Sequence, residues 1–115
     1  MEDAAQRWAT VNFAHESERS FARFLDFYNV EWRYEATCFP LERDAEGRVT
    51  LSFTPDFYLL QFDLYVELTT MKQSLVTRKN RKLRLMRELY PEVKVKMLYN
   101  RDYRRLLFKF GQLSA

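Results

Sequence analysis

Residues 64–69, Leu-Tyr-Val-Glu-Leu-Thr, constrain this chain more than any other stretch. Leu64, Val66 and Leu68 alternate with Tyr65, Glu67 and Thr69, so a strand here has one wholly apolar face and one bearing an acid. Enough apolar sequence lies on either side to bury both faces of such a strand. A carboxylate within a strand of this kind is costly unless a cation or hydrogen-bond donors compensate it. A second acid, Asp56 of Thr54-Pro55-Asp56-Phe57, precedes it at the end of another alternating run, Val49, Leu51 and Phe53.

The remaining elements assemble around this strand. Phe13, Phe21, Phe24, Leu25 and Tyr28 recur at helical spacing, so a helix is expected from about Asn12 as cap to Tyr28, with Asn29 at its stop. Trp32 to Leu41 and Val49 to Phe57 are rich in β-favouring residues and flank Asp44-Ala45-Glu46-Gly47, which reads as a turn, so they predict a hairpin. Ser74 is suited to cap a helix ending near Tyr90 before Pro91. Val93 to Leu98 predicts a strand, and Asn100 to Gly111 a last helix. The expected order is αβββαβα, an α/β domain with a mixed central sheet flanked by helices. The aromatics Phe13, Phe21, Phe24, Phe27, Trp32, Tyr34, Phe39 and Phe53 are assigned to its core.

With 115 residues, 47% apolar and 17% aromatic, and only two glycines and three prolines, residues 1–115 read as one densely packed domain. One cysteine, Cys38, and one histidine, His15, exclude a cysteine-rich zinc site and the several histidines of a zinc hydrolase. A metal, if held, is held by oxygen. No stretch approaches the roughly 18 apolar residues of a membrane span and no secretory signal is visible, so the expectation is a cytoplasmic protein without a membrane partner.

The net charge is only +3, but Lys72, Arg78, Lys79, Arg81, Lys82, Arg84 and Arg87 fall in one acid-free run. On a helical wheel Leu75, Val76, Leu83, Met86 and Tyr90 share one face, and Lys79 projects into its middle. Lys72 shares that direction if the helix extends back to it. Arg78, Arg81 and Arg84 point sideways or outward and, with Lys82, suit contacts to backbone phosphates. Lys79 either reaches a site beside Glu67 or snorkels to the surface.

Asp56 and Glu67 suit one or two hard cations, Mg²⁺ or Mn²⁺, or else serve as ordinary polar positions. Phosphodiester hydrolysis also needs a cationic group to orient water and offset charge. Lys72 or Lys79 is best placed for that role, with Gln73 helping to orient the water. On the first helix, Glu18 borders the apolar face, which makes it either the candidate third acid or a solvated neighbour of Arg19 and Ala22.

Pro55-Asp56, then Glu67-Leu68-Thr69 after an apolar strand, with a glutamate-bearing helix in front, resemble the PD-(D/E)XK nuclease superfamily. The resemblance spans nearly the whole chain. It implies a three-layer restriction-endonuclease-like core, with Asp56 and Glu67 as metal ligands, Leu68 as a backbone-carbonyl ligand and Glu18 as the helix acid. Thr69 departs from the pattern, which has lysine there. Some members carry that lysine on the following helix, leaving the role open between Lys72 and Lys79. The implied activity is metal-dependent cleavage of DNA. Many compact nucleases cut duplexes with one subunit per strand, which would make this chain a homodimer. The alternative is a nuclease-fold module that binds nucleic acid or protein without cutting.

Overall fold

A computed structural model describes residues 4–69 and 73–99, with the side chains of 7–69 and 77–99. The expected helix at 100–111 and Lys72 lie outside the described residues. A 3-10 helix (Ala4–Ala9) leads into α1 (Glu16–Phe27), and five strands follow: β1 (Trp32–Tyr34), β2 (Phe39–Arg43), β3 (Val49–Phe53), β4 (Phe57–Leu59) and β5 (Leu64–Thr69). A short 3-10 helix (Leu60–Phe62) joins β4 to β5, and α2 (Gln73–Leu89) and β6 (Val95–Tyr99) complete the described fold. It is an α/β arrangement with a mixed four-stranded sheet in the order β1-β4-β5-β6. The contacts β1–β4 and β4–β5 are antiparallel, and β5–β6 is parallel.

The predicted hairpin exists but is broken on both arms. Its outer part is the two-stranded β2–β3 sheet and its inner part is the β1–β4 pair, so the three expected strands before α2 are five. Tyr34 pairs with Phe57 and Phe39 with Phe53, which leaves four residues on one arm facing three on the other. An unequal count bends a ladder. Pro55, which has no N–H for strand pairing, lies buried in one arm, and Glu35 takes a left-handed φ of 48° in the other. Glu35 N–H still donates to the Asp56 carbonyl at 2.9 Å, so the bend is held across its base.

The start of α1 also differs from expectation. It begins at Glu16 rather than after Asn12, because Glu18 reaches back to accept the N–H of His15 at the cap position. Phe13 consequently precedes the helix, and its ring packs edge-on against Tyr34 with centroids 4.8 Å apart. Asn29 does end the turn, with φ 59°. The buried face of α1 consists of Glu18, Phe21, Ala22, Leu25 and Asp26. Phe27, assigned to the core from sequence, falls off that face and is 75% exposed beside Tyr28.

Two apolar clusters form the core. One joins Phe21, Ala22 and Leu25 of α1 to Trp32, Phe57, Leu59, Val66 and Leu98. The other joins Leu83 and Met86 of α2 to Phe39, Leu41 and Phe53, with Tyr65, Val95 and Met97 packed against it. Neighbouring positions on β5 therefore serve different clusters, Val66 the first and Tyr65 the second, as the period-two pattern requires. Among the described residues no helix is long and apolar enough to cross a membrane.

Candidate active site at the hairpin bend

The bend delivers Asp56 to the start of β4, directly across from the middle of β5. Phe57 pairs with Val66 in the antiparallel ladder, so Asp56 and Glu67 are the next opposed positions. Their side chains continue the ladder in place of backbone. Asp56 N–H donates to Glu67 Oε1 at 3.1 Å, and Leu68 N–H donates to Asp56 Oδ2 at 2.8 Å. The strand ends are thus stitched by two carboxylates.

Lys79 completes the cluster from α2. Its Nζ lies 3.0 Å from Glu67 Oε2 and also donates to the Leu68 carbonyl. The Glu67 side chain is 10% exposed and that of Lys79 is 22% exposed, so water screens this pair only weakly. One ammonium faces two carboxylates. Burial first, and the charge of Glu67 second, push the Asp56 carboxyl up to about 8, against the opposing pull of Leu68 N–H and Lys79.

Glu18 stands differently. It is buried, and its Oε1 accepts the Tyr34 hydroxyl at 2.7 Å and the N–H groups of Ala14 and His15 at 3.1 and 3.3 Å. Burial, followed by this bond to Glu18, raises the Tyr34 phenol well above its usual range. Glu18 therefore caps α1 while its charge still acts on Asp56. Among the described residues no three or more His, Cys, Asp or Glu side chains form a group able to hold a metal ion. What the site offers is a carboxylate pair and the Leu68 carbonyl. These hard oxygen donors fit Mg²⁺ or Mn²⁺ in the mode that uses one or two carboxylates. Two of the oxygens, Glu67 Oε2 and Leu68 O, already gather around a cation, the lysine ammonium.

Thr69, at the position where the motif has lysine, is 2% exposed, and its Oγ1 has no hydrogen-bond partner among the described residues. The side chain of Gln73 lies outside the described set. The four basic residues assigned to phosphate contact do not act alike. Arg78 and Lys82 line a pocket of about 420 Å³ with Lys79 and Glu67, Arg81 pairs with Glu42 of β2, and Arg84 is exposed. Ser52 and Phe53 of β3 and the following Thr54 form the pocket's other wall. Sequence reasoning missed Ser52 and Thr54. The available signal was the inward alternation of Leu51 and Phe53, which assigns residues 52 and 54 to the opposite face.

No family model, no curated protein and no solved structure matches this chain.

Proposed function

We propose that this chain is a PD-(D/E)XK-type nuclease that hydrolyses phosphodiester bonds in DNA, with Asp56 and Glu67 holding Mg²⁺ or Mn²⁺. The observation that carries the reading is the crowding of two carboxylates at the hairpin bend with a single lysine, Lys79, projected from the following helix. Perturbed carboxyls of this kind concentrate where charge is to be handled. An apolar cluster on each side of the sheet, one with α1 and one with α2, supports the three-layer restriction-endonuclease-like architecture.

In this reading Asp56, Glu67 and the Leu68 carbonyl hold the cation, and Glu18 adds negative charge from the helix side. The bound cation supplies polarisation of a phosphoryl oxygen and a lowered pKa for the attacking water. Lys79 orients that water and offsets charge as the phosphoryl group becomes more negative. The sequence leaves the lysine open between Lys72 and Lys79; Lys79 is favoured because its ammonium reaches Glu67, and Gln73 keeps its expected part in orienting the water. A homodimer would address both strands of a duplex.

Thr69 favours a second reading, a nuclease-fold module that binds without cutting. A buried, neutral residue stands where the motif cation belongs. The two readings separate on a panel of linear, branched and single-stranded DNA with Mg²⁺ or Mn²⁺, comparing the parent with Glu67→Ala and Lys79→Met. The nuclease reading predicts metal-dependent cutting that falls by about 10²-fold or more in both variants. Cutting that survives Glu67→Ala sinks the proposed site. No cutting, with salt-sensitive binding intact, favours the module.

A further inference from the structure

Arg78 and Lys82 lie one helical turn apart on α2 with Lys79 between them, and all three line the same pocket. Like charges at this spacing repel unless something lies between them. Glu67 neutralises Lys79, and Glu42 neutralises Arg81 next door. Among the described residues neither Arg78 nor Lys82 has a carboxylate within ion-pair reach. The pocket therefore holds two uncompensated cations beside a compensated one.

The opposite wall is chemically complementary. Ser52 of β3 and Thr54, just past the end of that strand, are two residues apart and both line the pocket. The exposed Cys38 lies beside this wall, where Thr54 first and Ser52 second hold its thiol below the usual range. Cations on one side and neutral O–H donors on the other make a site for an anion with oxygens in several directions. A tetrahedral phosphate meets both walls, whereas the two coplanar oxygens of a carboxylate serve one of them. The volume, about 420 Å³, lies within the range of small-ligand sites, so it admits a phosphate with its attached sugar.

We infer that this pocket is a phosphate subsite for a nucleic-acid strand, in which Arg78 and Lys82 supply charge and Ser52 and Thr54 supply hydroxyl donors. The phosphate it takes neighbours the one beside Asp56 and Glu67, and in that respect the inference rests on the nuclease reading. Positioning is its function. A strand held here is presented to the carboxylate pair through Glu67, which borders both sites.

Cys38 is the chain's single cysteine and lies beside Thr54, Ser52 and Lys82, so thiol labelling reports on one edge of this pocket. The test uses the full chain in EDTA, a short fluorescent oligonucleotide, and a disulfide-exchange reagent such as DTNB. A saturating oligonucleotide is expected to slow Cys38 labelling by about tenfold, as contact with a buried phosphate restricts access. Arg78→Gln and Lys82→Gln should each lower the slope of log affinity against log salt by about one, while Arg87→Gln, which lines a different groove, leaves it unchanged. Joint replacement of Ser52 and Thr54 by alanine should weaken binding by about threefold to tenfold without changing the slope, since neutral donors release no counterions.

Labelling at the same rate with and without bound oligonucleotide overturns the inference, and this measurement uses the unaltered chain, so misfolded variants cannot obscure it. Equal loss of slope in Arg87→Gln overturns it too, because binding is then diffuse. Protection by polyglutamate as effective as that by DNA would assign the pocket to an acidic protein instead. Glu67-dependent cutting without Cys38 protection removes the subsite and keeps the catalytic reading. Protection without cutting does the reverse.

Discussion

Asp26 and Asp56 are the same side chain, both drawn away from water, in two regions that treat it oppositely. At the end of α1, Asp26 is 4% exposed; its Oδ2 accepts the Trp8 N–H and its Oδ1 the Trp32 indole N–H, each at 2.7 Å. Both oxygens meet neutral donors, and Arg7 stacks over the same indole at 4.6 Å. This aspartate is a bracket that ties the N-terminal 3-10 helix to β1. At the hairpin bend, Asp56 meets one N–H and a second carboxylate, and the nearby lysine pairs with Glu67, so the Asp56 carboxyl is left to hold its proton up to about pH 8. Burial alone thus does not mark a functional acid. The distinguishing property is a carboxyl that the fold sets beside a second one, with no cation of its own.

The comparison breaks most visibly in the chemistry. Glu67→Gln keeps an acceptor for Asp56 N–H but removes the charge, and metal-dependent cutting should fall by roughly 10²–10³-fold, about 3–4 kcal/mol of transition-state stabilisation. Initial rates on the cleaved substrate measure it. Asp26→Ala should leave any such chemistry to the remaining folded fraction while destabilising the chain by about 3 kcal/mol, because two buried N–H donors lose their acceptor. Urea unfolding reads that loss, and an unchanged midpoint would remove the bracket role.

Asp56→Asn sharpens the contrast by acting in the opposite direction. The folded-state carboxyl titrates near 8 and the unfolded one near 3.8, so between those values the folded state binds the extra proton. Stability conferred by that proton is lost as the pH rises through this window and is constant above it. Asparagine keeps an acceptor for Leu68 N–H without the titration. The variant should match the parent at about pH 4 and exceed it at about pH 8.5 by on the order of 2 kcal/mol, after allowing for water entry. Parallel pH profiles for the two proteins would contradict the account.

Lys79→Met releases the Glu67 and Leu68 oxygens that the ammonium now occupies. Mn²⁺ should then bind several-fold more tightly even as cutting is lost. Weaker Mn²⁺ binding would make the lysine a support for the cation rather than its competitor. The smallest effect is expected at Arg81→Ala, where an exposed pair with Glu42 is removed and stability should change by less than about 1 kcal/mol.

Much of this contrast was legible where the signal is local. The period-two run 64–69 is β5 to the residue, and Asp44 and Gly47 form the predicted turn, closed by Gly47 N–H on the Asp44 carbonyl at 3.0 Å. The helical wheel put Lys79 on the inward face of α2, where it meets Glu67. Other features depend on partners distant in sequence. The break at Pro55 follows from unequal arms that only the paired register reveals, and α1 starts late because a carboxylate three residues on reaches back to its cap. The partners of Glu18 were not legible because a wheel gives direction but not partners, and the Tyr34 hydroxyl that engages it comes from β1. The pocket of Ser52 and Thr54 exists only once β3 stands beside α2.

The nuclease reading requires the Asp56–Glu67 pair to hold a divalent cation. A Mn²⁺ titration of the full chain at about pH 8.5, followed by the electron paramagnetic resonance of free Mn²⁺, tests it directly, since Asp56 is then mostly ionised. Saturable binding that Glu67→Gln abolishes and Asp26→Asn leaves intact is the expected result. Absence of saturable binding, or equal binding by Glu67→Gln, would contradict it.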